Sequence, residues 1–129
     1  PMSARRQRQM CIRDRDLEKE QEVLLAISDV LIEIYMAESA ILRTEKNCKR
    51  FGKDSQIGQI AMSQLYLYEA NELISNKAKE LIFSLSEGSE QKFLLMGLKR
   101  FTKYYEYPKP IKLKRIISKI VSAENRYCF

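Results

Sequence analysis

Apolar side chains recur at intervals of three and four along most of the chain, and no stretch shows the alternation that marks a half-buried strand. Leu24, Ile27, Leu31 and Ile34 form one such row, and Ile41 continues it beyond Glu38. Val23, Val30 and Ala37 lie alongside, which predicts a long helix with one wide apolar face. The helix is expected to start at Asp16 or Leu17, where Glu18, Glu20 and Glu22 suit the positive end of its dipole. It should stop near Phe51, where Lys46, Lys49 and Arg50 suit the negative end. Gly52 fits the left-handed position just past that end, and Asp54 or Ser55 can cap the next helix.

The second helix carries Ile57, Ile60, Leu67, Ile74, Ala78, Leu81 and Leu85 on one stripe and ends near Ser86, before Gly88. A short connection between two long helices favours an antiparallel hairpin. Ser89 can cap a third helix whose buried side is read as Phe93, Leu94, Gly97, Leu98 and Phe101, fraying by Tyr107. Pro108 and Pro110 then break the chain, and Pro110 suits the first position of a fourth helix, where its missing N–H costs nothing. Leu113, Ile116, Ile117, Ile120 and Val121 supply that helix's apolar face. The expected fold is all-α, a four-helix antiparallel bundle of two long and two shorter helices.

Composition narrows the chemistry. The 129 residues, 45% hydrophobic, suit one domain with one core. No His is present, which excludes His-based triads and histidine-bound metal sites. Cys11, Cys48 and Cys128 lack both an even count and paired spacing, so a reducing, cytoplasmic setting is expected. No apolar run approaches the roughly 20 residues of a membrane-spanning helix. Ser89 to Lys92 reads S-x-x-K, but the companion strings of acyl-enzyme chemistry are missing and capping explains the Ser. Catalytic, cofactor and metal residues are therefore all read as none.

The net charge of +6 is uneven: residues 1–15 carry +4, residues 16–98 carry −5 and residues 99–129 carry +7. The first basic end, Arg5 to Arg15, resembles one frame of a widely used DNA sequencing adapter. Residues 1–15 are accordingly expected to be a non-native leader, and 16–129 the helical domain proper, a fragment of a longer protein. At the other end, Lys112, Lys114, Arg115 and Lys119 flank the fourth helix's apolar face and form a candidate surface for anions. Glu38, Gln64 and Asn71 fall on apolar stripes and are expected to find partners and fix helix register.

The strings KEQEVLLAISDVLIEIYMAESAILRTEK from Lys19, SEGSEQKFLLMGLKRFTKY from Ser86 and AENRYCF from Ala123 together resemble the C-terminal extension of long bacterial acyl-CoA dehydrogenases. These enzymes are similar in layout to the very-long-chain members of the family. The resemblance covers nearly everything from Leu17 onward and is most specific at ESAILRTEK, LMGLKRFTK and NRYCF. It implies a parent that oxidises fatty acyl-CoA to 2-enoyl-CoA with FAD, as a homo-oligomer, passing electrons to an electron-transfer flavoprotein. The family's Y-E-G-T catalytic motif and its FAD- and acyl-CoA-contacting motifs do not occur here. The implied role is accessory: packing on the catalytic core or dimer mate, or attachment to an anionic membrane surface, peripheral to the inner membrane and without nucleic acid. The alternative is a free-standing basic helical module binding anionic lipid or nucleic acid, suggested by eight basic residues and one acid between Lys99 and Lys119.

Overall fold

The computed structural model describes the backbone of residues 2–126 and the side chains from Glu20 to Arg126. It contains α1 (Met2–Phe51), a single 3-10 turn (Asp54–Gln56), α2 (Ile57–Leu85), α3 (Gly88–Phe101) and α4 (Pro110–Glu124), with no strand among the described residues. The fold is an all-α bundle of two long and two shorter helices. α1 begins at Met2, not at Asp16. Residues 2 to 51 contain neither Gly nor Pro, so no residue type on the upstream side stops the helix from continuing. The side-chain contacts of residues 1–15 lie outside the described residues.

The turn after α1 follows from two residues. Gly52 sits at φ +85°, and its N–H bonds the Cys48 carbonyl at 3.0 Å, as a left-handed helix end requires. Ser55 does not cap α2. Its hydroxyl donates backwards to the carbonyls of Phe51 and Gly52, at 2.7 and 2.9 Å, and so satisfies the C-terminal end of α1. α2 and α3 both start without a side-chain cap, which corrects the capping roles expected of Asp54, Ser55 and Ser89. Pro110 does occupy the first turn of α4, and Asn125 ends that helix in the left-handed conformation.

Among the described residues, α1, α3 and α4 each pack on α2 and not on one another. α1 runs antiparallel to α2, as the pairs Asn47 with Gln59 and Asp29 with Lys77 show. α3 folds back along α2 in the same sense: Gln91 donates to the Ser86 carbonyl at its start, and Asn71 to the Thr102 carbonyl at its end.

The large aliphatic row of α1 does not face α2. Leu24 and Leu31 are each 60% exposed and Ile34 48%, whereas Ala37 is buried and Val23, Val30 and Ala40 are half-buried. The stripe of α1 that meets α2 is the narrower one of small residues, which lets the backbones approach closely. α3 shows the same rotation. Phe93 and Phe101, expected inside, are 71% and 89% exposed, while Gln91, Leu95, Leu98 and Thr102 turn inward. On α4, Leu113, Ile116, Ile117 and Ile120 are half-buried as expected, but Val121 is exposed. No large side chain is fully buried, so the core among the described residues is thin.

Candidate interaction surfaces

The α1–α2 contact is sewn by polar groups. Tyr66 donates to a Glu33 carboxylate oxygen at 2.7 Å, the Thr44 and Ser63 hydroxyls bond each other, and Asn47 donates to Gln59 at 2.8 Å. Every one of these lies across the two helices at a sequence separation that fixes their antiparallel register. Bonds of this kind specify alignment because a slip of one turn leaves several partly buried polar groups unpaired.

Glu38, Gln64 and Asn71 make none of these bonds. Asn71 is half-buried and its amide donates to the Thr102 carbonyl at 3.2 Å, tying α2 to the end of α3. Glu38 is exposed and lines a groove between α1 and α2 that Asn71 also lines, while Gln64 is exposed in a separate groove facing α4. Glu38 falls on the aliphatic row of α1, which is turned outward, whereas Gln64 and Asn71 stand beside the half-buried row of α2 formed by Ile60, Leu67 and Ile74. Glu33, Thr44 and Asn47 carry the α1 half of the real seam. Their signal was present in the sequence as polar members of a spacing of three and four running through Val30, Ala37 and Ala40. Replacing Glu38 by Leu is accordingly expected to change the stability of this chain by no more than about 0.5 kcal/mol in thermal melts.

Tyr66 is held above its ordinary value of 10.0, first because its hydroxyl donates to Glu33, then through burial and the Glu33 charge. Tyr104 is also raised, mainly by burial. The Glu72 carboxylate, which accepts from it at 2.8 Å, adds to this, and a bond from Asn71 acts in the opposite direction. A raised folded-state value means that the unfolded chain releases these protons first. The stabilisation is therefore complete below about pH 10 and is lost as the pH rises through the folded values. Ultraviolet tyrosinate titration should show the Tyr66 step shifting downward in a Glu33→Gln variant. An unchanged titration would remove the Tyr66–Glu33 bond from the seam.

The basic residues of α4 are all exposed. Lys114 reaches Glu69 of α2 at 3.5 Å, a partner from outside the segment where Glu106 and Glu124 are the only nearby acids in sequence. Lys112, Arg115 and Lys119 make no ion pair with the described residues, and Arg115 and Lys119 line a shallow depression together with Ile111 and Ser118. No group of His, Cys, Asp and Glu among the described residues is arranged to hold a metal ion. No described helix is long and apolar enough to cross a membrane. Cys48 is half-buried; the side chains of Cys11 and Cys128 lie outside the described residues.

Residues 9–100 match the family described as acyl-CoA dehydrogenase, C-terminal domain. The chain belongs to this family. The match starts upstream of Asp16 and ends inside α3. Among curated proteins, the chain is 30% identical over 87 residues to a probable acyl-CoA dehydrogenase of Bacillus subtilis (strain 168), covering 67% of this chain and 15% of that protein. Among solved structures, it is similar to an acyl-CoA dehydrogenase complexed with FAD from Bacillus anthracis. There the TM-score is 0.82 and the identity 31%, over 86% of this chain and 19% of the other. The chain thus spans less than a fifth of either relative. The match to the acyl-CoA dehydrogenase C-terminal domain takes in most of α1, all of α2 and most of α3.

Proposed function

We propose that the chain is the accessory helical domain of a longer FAD-dependent acyl-CoA dehydrogenase and is catalytically inert by itself. The observation that carries this reading is the family match, because the matched family is the C-terminal domain of these enzymes and the chain accounts for only 15% and 19% of the two relatives. The parent enzyme would oxidise fatty acyl-CoA to 2-enoyl-CoA, work as a homo-oligomer and hand electrons to an electron-transfer flavoprotein. FAD would be held by that parent's core. The described residues here supply no Gly-rich phosphate loop for it: Gly52 and Gly88, with positive φ, stand singly at helix ends.

Purified chain should be colourless after desalting and should not oxidise acyl-CoA with an artificial electron acceptor. Stoichiometric flavin in the desalted protein would overturn the reading. DNA sequence upstream of Asp16 provides an independent test, since a continuous frame arriving from a flavoenzyme core is required.

A second role for the same domain, attachment to an anionic membrane surface on the cytoplasmic side, is favoured by one observation. Lys112, Arg115 and Lys119 project from α4 without an ion-pair partner among the described residues. Such side chains attract anionic headgroups through long-range charge and need no shaped pocket.

A further inference from the structure

The outward row of α1 is too large and too ordered to be a solvated helix face. Leu24, Ile27, Leu31, Ile34 and Leu42 are all exposed and stand at helical spacing along one flank. The row is continuous with a groove between α1 and α2. Buried Ala37 and Ala70 form its floor, and Ile41, Leu67 and Ile74 rise beside them. Small residues on a groove floor admit the side chains of an incoming element, and a contiguous apolar surface of this extent on a soluble domain marks a contact site.

Charge selects the occupant. Along this flank from Glu20 to Glu45 the ionisable residues are Glu20, Glu38 and Glu45, all exposed, with no base among them. A lipid surface is disfavoured, since helices that lie on anionic membranes flank their apolar face with Lys and Arg. A second copy seated on the same flank would set one acidic row against another, and like charges across an interface cost free energy. An apolar protein surface carrying a basic side chain opposite Glu38 satisfies both the row and its charge. The shares of 15% and 19% leave most of each relative's length to supply that surface.

We propose that the α1 flank from Leu24 to Leu42, with the adjoining groove on α2, is the seat for the flavin-binding remainder of the same polypeptide, and that Glu38 pairs with a base on it. The inference rests on the accessory-domain reading above. It makes the thin core intelligible: the chain's large aliphatics form half of an interface, and the alanine stripe is what holds its own helices together.

The test uses this 129-residue chain and the longer chain read from its continuous upstream frame, each with all of its own cysteines replaced by Ser. Single Leu31→Cys and Ile34→Cys variants are labelled with a maleimide, with Met36→Cys on the other flank as a reference. Labelling at 31 and 34, relative to 36, is expected to be at least about tenfold slower in the flavin-loaded longer chain than in the 129-residue chain. Equal labelling in both chains would overturn the proposal. So would slow labelling in the 129-residue chain that depends on protein concentration, which would make a second copy the occupant. Glu38→Lys gives a second readout that does not require a cysteine: a lowered thermal midpoint in the longer chain and no change in the 129-residue chain. Identical effects on the two would also overturn it. A longer chain that takes up no flavin would instead defeat the accessory-domain reading.

Discussion

Ala70→Leu is expected to lower the thermal midpoint of the chain by on the order of 10 °C, a larger loss than any single truncation of its exposed leucines. Ala70 is buried on α2, and with Ala37 of α1 it floors the groove between the two helices. A leucine there must push α1 away or take an unfavourable rotamer, at a cost of about 1–3 kcal/mol. In a domain of this size each kcal/mol moves the midpoint by several degrees. Helix propensity does not offset this, because Ala and Leu are both strong helix formers. The contrast is with Leu31→Ala, a change that costs about 2–5 kcal/mol in an ordinary core. Leu31 is largely exposed here, so its loss should stay well under 1 kcal/mol. Circular-dichroism melts of the two variants decide the matter, and a larger effect from Leu31→Ala would mean that α1 meets α2 through its leucine row.

Anionic vesicles are expected to bind the chain in a salt-sensitive way, and neutral vesicles to leave it in solution. Each Lys or Arg near such a surface contributes about 1 kcal/mol. Lys112, Arg115 and Lys119 together therefore supply roughly 3 kcal/mol, or about a hundredfold in partition. Changing these three to Gln should remove most of the binding in co-sedimentation. Lys114→Gln should do less, because Lys114 is already engaged with Glu69. If the triple variant co-sediments as well as the parent sequence, the α4 face is an ordinary solvated one.

Helix identity was legible in the sequence because period, punctuation and end charges agreed from Asp16 onward: Gly52 and Pro110 act in the structure as their chemistry requires. Facing was not legible. A wide apolar stripe on α1 offered two interpretations, the aliphatic row and the small-residue row beside it, and hydrophobicity alone ranks the first higher. That ranking presumes that all burial occurs within the chain. Here it fails at Leu24, Leu31, Phe93 and Phe101 together. The polar seam was missed for the same reason, since Glu33, Thr44 and Asn47 lie on the face that the aliphatic row displaced. The Lys114–Glu69 pair was beyond reach because it joins α4 to α2 across 45 residues of sequence. The family, by contrast, was readable from strings of residues, which record ancestry whichever way each side chain points.

Because α2 is the one helix that α1, α3 and α4 each meet among the described residues, these helices form a hub and three spokes, with no closed ring of helix contacts. Local opening should follow that layout. α3 and α4 can detach from α2 one at a time without exposing the α1–α2 seam, so their amides belong to separate low-energy opening units. The amides of α2 facing α1, near Ser63 and Tyr66, can exchange only when the seam itself parts. Hydrogen exchange is thus set to release the molecule from its C-terminal half inward, and the last protection to disappear marks the helix that all the others share.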